Sequence, residues 1–136
     1  MTFQDELLSD SKGIEKMVED LLGKTMSRSN DLVGLTVVTR EGLPIASRIT
    51  TEINVLVVSA MSSAILVPAK RVIDELDRGN LNKTIIQSSD GIIVLMEAGP
   101  DAVLLGFTEA NAKMGVVLFD MERAASAIAE LISPPK

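Results

Sequence analysis

The chain has 136 residues, of which 46% are hydrophobic and 24% charged, so its length and composition predict one globular domain. The net charge of −6 argues against a nucleic-acid partner, because phosphate binding needs clustered Lys and Arg. The chain contains no cysteine and no histidine, so it forms no disulfide and supports no thiolate chemistry. It also lacks the side chains most often used in zinc sites and in general base catalysis.

The N-terminal part of the chain predicts a short tail followed by a helix. Residues 1–10 are predicted as a polar tail that lacks the apolar run of a secretory signal, and residues 11–133 as the folded domain. We therefore expect a cytoplasmic protein. The domain begins with an amphipathic helix that ends near Met26, because apolar residues recur there every three or four positions, namely Ile14, Met17, Val18, Leu21 and Leu22.

A β-hairpin is predicted after this helix. In LVGLTVVT, alternation places Val33, Leu35 and Val37 on one face, as in a half-buried strand. The turn REGLP follows, in which Gly42 is free to adopt a positive φ, and IASRI is the returning strand.

The second half of the chain predicts three strands and a helix. The runs KTIIQ, GIIVLMEA and AVLLGFT are connected by Asp90-Gly91 and Gly99-Pro100-Asp101, which favour turns and therefore an antiparallel meander. Two prolines, Pro134 and Pro135, should stop the last helix. Its apolar positions have helical spacing: Met114, Val117, Met121, Ala124, Ile128 and Leu131.

Between the hairpin and the meander lies the most apolar segment, NVLVVSAMSSAILVPAKRV. Residues 53–69 carry no charge, but this length is marginal for a bilayer, so we expect no membrane insertion. The segment predicts a helix that begins near residues 51–53 and kinks or ends at Pro68. One stripe of this helix should cover the sheet: Val58, Met61, Ile65, Val72 and Leu76.

The opposite side of this helix is also apolar in its N-terminal half, where it carries Leu56, Ala60, Ser63 and Val67, with Ser59 beside them. Such a face should not remain in water. Small residues favour close helix packing, so a second copy is the favoured cover, and ~300–400 Å² of buried apolar surface would contribute roughly 8–10 kcal/mol before association costs. The alternative is a monomer in which the terminal helix of the same domain covers this face.

No motif in the chain indicates catalysis or the binding of a cofactor or metal. Gly23-Lys24-Thr25 is similar to the end of a phosphate-binding loop, but Val18 occupies the position where that loop requires glycine. The carboxylates are spread over helix surfaces instead of forming a metal cage or an acid–base pair. We expect no catalytic residue, no cofactor and no metal ion.

Two stretches together resemble the roadblock/dynein light chain family: GLTVVTREGLPIAS at 34–47, and AVLLGFTEANAKMGVVLFDMERAASAI at 102–128, with Asn111 and Gly115 before and at the start of the last helix. The resemblance spans residues 14–132. It implies an α+β fold with a five-stranded antiparallel sheet, the central helix on one face and the two terminal helices on the other. It also implies a homodimer formed through the central helix (Leu56, Ala60, Ser63, Val67) and the third strand (Lys83, Thr84, Ile85, Gln87).

Members of this family generally lack catalytic residues and bind or regulate Ras-like small GTPases. The chain is most similar to stand-alone prokaryotic regulators of the gliding-motility type. The resemblance therefore implies a non-catalytic homodimer that modulates the nucleotide state or localisation of a GTPase, with docking near Lys70, Arg71 and Asp74. The alternative is an adaptor subunit of a heteromeric roadblock assembly without nucleotide sensitivity. A small-molecule sensor is least favoured, because the predicted core lacks convergent polar groups.

Overall fold

The computed structural model describes the backbone of residues 3–133 and the side chains of residues 13–133. It contains three helices and five strands in the predicted order, with these bounds: α1 (Phe3–Arg28), β1 (Leu32–Thr39), β2 (Pro44–Ile49), α2 (Val55–Glu75), β3 (Lys83–Ser88), β4 (Gly91–Glu97), β5 (Ala102–Thr108) and α3 (Met114–Ile132).

Helix α1 begins earlier than the hydrophobic pattern predicts. Residues 3–10, predicted as a polar tail, are helical and continuous with the amphipathic part of α1. This stretch contains good helix formers, and once a helix is nucleated each further turn is added at little cost. The prolines at 134 and 135, predicted to stop α3, lie outside the described residues.

The five strands form one antiparallel sheet in the order β2-β1-β5-β4-β3. The hairpin β1–β2 and the meander β3–β4–β5 are joined by pairing between β1 and β5, with Leu35 opposite Gly106. Strand β3 therefore lies at one edge of the sheet, and within residues 3–133 it pairs only with β4. The predicted hairpin and meander are both present.

The helices form two layers, one on each face of the sheet. Helices α1 and α3 share one face, where Val18, Leu22, Met121 and Ile128 are fully buried against β1, β4 and β5. On the other face, α2 packs over a smaller cluster formed by Leu95, Val103 and Leu105. This arrangement confirms the predicted α+β architecture.

The two layers also correct the prediction for β1. Alternation predicted a half-buried strand, but Thr36 and Val38 are as completely buried as Leu35 and Val37. A strand covered by helices on both faces has no solvent side, and β1 is the second strand from its edge of this sheet.

Helix α2 begins at Val55 and is capped by Asn54, whose side-chain oxygen accepts a hydrogen bond from Val57 N at 3.2 Å. It continues through Pro68 to Glu75, so the proline does not end the helix. Pro68 and Ala64 are both exposed. The carbonyl of Ala64, which loses its helical donor to the proline, is therefore on the side where water can bind it.

Candidate functional site at the outer face of helix α2

The side of α2 that contacts the sheet differs from the predicted stripe. Ser59 and Ser62 are fully buried, and Val58 and Leu66 pack on the apolar cluster of the sheet. Three residues of the predicted stripe are instead more than half exposed: Met61, Val72 and Leu76. The prediction placed the largest apolar residues of α2 against the sheet. The helix lies close to the sheet, however, and packs small residues there.

Gly42 in the β1–β2 turn explains this close approach. A Cβ atom placed on Gly42 would lie 3.0 Å from Ala60 Cα and 3.2 Å from both Ser59 O and Ser63 Cβ. The residue has φ +95°, as predicted for the turn. The backbone of α2 at Ser59 and Ala60 and the side chain of Ser63 therefore lie against the hairpin of the same chain, a contact that the hydrophobic pattern did not reveal.

Ser63 is held by the same contact. Its hydroxyl donates a hydrogen bond to the main-chain carbonyl of Arg40 at 2.8 Å, and the side chain is only half exposed. The prediction that Ser63 faces away from its own domain is wrong in this respect, because the β1–β2 turn reaches over that side of α2.

The outer face of α2 is nevertheless broad and apolar. Leu56 is 67% exposed and Val67 is 61% exposed, and Ala60 is also exposed. Because Met61, Val57 and Val72 are at least half exposed as well, the face is wider than predicted. We define the outer face of α2 as Leu56, Val57, Ala60, Met61, Ala64, Val67, Pro68 and Val72.

Neither terminal helix covers this face. Helices α1 and α3 both pack on the opposite side of the sheet. The alternative in which a terminal helix of the same domain covers α2 is therefore wrong. A contiguous exposed apolar surface of this kind is more typical of an interaction site than of an ordinary protein surface.

Strand β3 forms one edge of the five-stranded sheet. Ile85 is 38% exposed, and Gln87 is exposed. The hydroxyl of Thr84 is buried and has no hydrogen-bond partner among the described residues. Lys83 is directed to the other layer, where its ammonium group donates to Glu122 of α3 at 2.5 Å.

The charged end of α2 is linked to the two turns at that end of the sheet. Arg40 Nη2 donates to Glu97 Oε1 at 2.9 Å, and Lys70 Nζ lies 3.5 Å from the same oxygen. Arg40 also bonds to the carbonyl of Pro100. The hydrogen bond from Arg40, together with the positive charges of Arg40 and Lys70, lowers the pKa of Glu97.

This ion-pair network separates the three residues predicted to dock a GTPase. Lys70 is half-buried and bound to Glu97. Arg71 and Asp74 are both exposed and lie outside the network. Sequence periodicity could not reveal the network, because Arg40 and Glu97 are far apart in the chain and meet only through the sheet.

The chemistry available at this site is that of a binding surface. In the part of the chain that the structure describes, no group of three or more Asp and Glu side chains is placed to hold a metal ion. Within residues 3–133, α2 is also the one helix that is long and apolar enough to cross a membrane by length and composition, which is weak evidence for a span.

The comparisons with known proteins agree with this fold. Residues 17–106 match the family described as Roadblock/LC7 domain. The uncharacterized protein MJ0714 of Methanocaldococcus jannaschii is 30% identical over 115 residues, which cover 85% of this chain and 96% of that protein.

Solved structures share the fold at low identity. The gliding protein MglB of Thermus thermophilus has a TM-score of 0.81 at 15% identity, over 90% of this chain and 93% of that one. MglB of Myxococcus xanthus has a TM-score of 0.81 at 12% identity, over 90% and 92% of the two chains. Because the family match covers most of the chain, and a relative at 30% identity covers still more of it, the chain belongs to the Roadblock/LC7 family.

Proposed function

We propose that this chain is a cytoplasmic, non-catalytic homodimer that binds a Ras-like small GTPase and modulates its nucleotide state or localisation. The observation that carries the proposal is the outer face of α2, an exposed apolar surface that no other described element of the chain covers. Family membership supports a regulatory or adaptor role, because the members that this chain resembles act through binding and not through catalytic residues.

Self-association is the first part of the proposal. A second copy would bury Leu56, Ala60 and Val67 by packing one α2 against the other. The edge of β3 would pair with its counterpart at the same time, which would give the unpaired backbone groups of an edge strand their hydrogen bonds.

Binding of a GTPase is the second part. Arg71 and Asp74 lie beside the apolar surface and outside the ion-pair network, so they are available for charge recognition. Rim charges of this kind set specificity and association rate more than affinity. Regulation requires no catalytic side chain from this protein, because binding that favours one conformation of the GTPase switch loops already shifts their population.

The test is a binding measurement with the small GTPase encoded nearest to this gene, loaded with GDP or with a non-hydrolysable GTP analogue. We expect at least a tenfold preference for one nucleotide form, and a changed rate of phosphate release when this protein is added. Arg71→Glu should weaken binding, whereas Lys16→Glu, the same charge change on exposed α1, should not. Equal binding of both nucleotide forms would contradict the regulatory proposal.

The adaptor hypothesis predicts a different result for the same protein. Its mass in solution would be that of a monomer, and it would dimerise only with a second roadblock chain, without sensitivity to nucleotide. Light scattering of the isolated chain therefore distinguishes a homodimeric regulator from a subunit of a heteromeric assembly.

A further inference from the structure

The two edges of the sheet differ in how readily they accept a further strand. Strand β2 begins at Pro44 and carries exposed Arg48, and its register with β1 shifts between Val37 and Val38. Proline, charge and an irregular register at an edge all oppose the addition of a strand. Strand β3 contains no proline, and its register with β4 is regular over its whole length. Of the two edges, β3 is therefore the one suited to pair with a second copy.

Lys83 is the one charged residue of β3, whose sequence is KTIIQS. It pairs with Met96, while Ile85 pairs with Val94, and both partners belong to the core beneath α1 and α3. Because side chains alternate along a strand, Lys83 and Ile85 face this layer. A lysine on an edge strand ordinarily opposes pairing, since its ammonium group has to stay hydrated while a partner covers the strand.

Glu122 holds this charge away from the edge. Helix α3 packs on β4 and β5, inward from β3. The ammonium group of Lys83 donates a hydrogen bond of 2.5 Å to Glu122 Oε1, so it points from the edge strand toward the helix. The side chain of Lys83 is 32% exposed and that of Glu122 is 51% exposed. An ion pair so close to water contributes little to folding, so its removal should leave the domain folded.

We propose that Glu122 makes the β3 edge competent to pair with a second copy, by neutralising Lys83 and holding its ammonium group over the sheet. The inference rests on the proposed homodimer, in which each β3 meets its counterpart. Without Glu122, the free charge of Lys83 would have to lose water when the second strand arrives. A two-fold interface contains this residue twice, so the cost arises twice in each dimer.

The first experiment removes the acid. Sedimentation equilibrium of Glu122→Gln should give a dimer Kd about fivefold weaker than that of the wild type. Glu130→Gln is the control, because it makes the same charge change on α3 at a residue that forms no salt bridge among the described residues. Its dimer Kd should stay within about twofold of the wild-type value.

Net charge cannot produce the expected loss. The chain has a net charge of −6, so removing one negative charge lowers the repulsion between two copies. This effect would tighten the dimer in both variants. A weaker dimer in Glu122→Gln alone therefore reports the freed charge of Lys83.

The second experiment removes the lysine as well. In the double variant, Lys83→Gln with Glu122→Gln, no charge remains at the edge, and the dimer Kd should return to within about twofold of the wild-type value. Lys83→Gln alone should dimerise at least as tightly as the wild type, since Glu122 is half exposed and stays hydrated. Circular dichroism reports whether each variant is folded.

The outcomes separate this inference from the proposed function. An unchanged dimer Kd in Glu122→Gln would overturn the inference and leave the homodimer standing. A double variant as weak as Glu122→Gln would assign the loss to α3 itself, which also overturns the inference. If the wild type stays monomeric at every concentration, the homodimer is wrong and the inference is wrong with it.

Discussion

The hydroxyl of Ser63 in α2 donates a hydrogen bond of 2.8 Å to the main-chain carbonyl of Arg40, which lies in the turn between β1 and β2. The next residues of that turn bring Gly42 against the backbone of α2 at Ser59 and Ala60. Ser59 and Ser63 of α2 are therefore explained by contact within the chain, whereas Ala60 approaches the turn through its backbone and remains exposed. The larger exposed residues, Leu56 and Val67, are left for a partner.

Gly42→Ala should destabilise the fold by about 2 kcal/mol. The new methyl group would meet Ala60 Cα at 3.0 Å, and φ +95° is strained for any residue with a Cβ. Gly79→Ala is the matched control, because Gly79 has a similar φ of +87° but nothing within 4 Å of an added Cβ. Urea denaturation should show a smaller loss for Gly79→Ala, and equal losses would mean that the contact with α2 contributes nothing.

Val67→Glu should weaken dimerisation at least tenfold while preserving the fold, because the side chain is 61% exposed in the single chain but would carry a charge into an apolar interface. The control is Val116→Glu on α3, at a site that is also exposed but on the other layer. Sedimentation velocity gives the oligomeric state, and circular dichroism reports the fold. A dimer of unchanged affinity would exclude this face as the interface.

Ser63→Glu should behave differently from Val67→Glu. Removal of the Ser63 hydroxyl breaks its hydrogen bond to Arg40 O, and the larger side chain has to displace the β1–β2 turn. We expect the free energy of unfolding to fall by about 1–3 kcal/mol. Urea denaturation of a background that already carries Val67→Glu separates this effect from dimerisation. An unchanged midpoint there would show that the turn does not hold Ser63.

The interaction of Glu97 with Arg40 and Lys70 should make stability dependent on pH. The pKa of Glu97 is lower in the folded chain than its ordinary value of 4.5. The folded state therefore binds the proton less well than the unfolded state, and stability that is present above pH 4.5 is lost as the pH falls through the folded pKa. Because Glu97 is about half exposed, the contribution is below about 1 kcal/mol.

Glu97→Gln tests this dependence by urea denaturation. At pH 7 the variant should be less stable than the wild type, and the difference should shrink as the pH falls below the folded pKa of Glu97. Glu130→Gln serves as the control, because Glu130 lies on α3 and forms no salt bridge among the described residues. A difference that stays constant as the pH falls would assign the effect to packing instead of charge.

Gly115→Ala should stabilise the chain by about 0.5–1 kcal/mol. Gly115 is in the first turn of α3, and an added Cβ meets nothing within 4 Å. Thermal unfolding measures the change. A loss of stability would reveal a backbone requirement at this position. If stability rises but binding to the GTPase is lost, the glycine serves an intermolecular contact.

The sequence by itself determined the elements and their order. Alternation and turn residues located all five strands, because strand boundaries here coincide with strong local signals such as Asp90-Gly91 and the residues around Gly42. The spacing of apolar residues in α3 also identified its buried side, since Val117, Met121 and Ile128 are fully buried. In α3, one apolar face meets one core, and local pattern is sufficient.

Only the tertiary structure decided how α2 is oriented. This helix is apolar nearly all round, so periodicity cannot distinguish the side that packs on the sheet from the side that stays exposed. The choice depends on Gly42, which is distant in sequence and admits Ser59 close to the hairpin. The Arg40–Glu97–Lys70 network arises in the same way. It forms because the sheet brings together segments that are distant in sequence, and a local sequence pattern cannot predict such contacts.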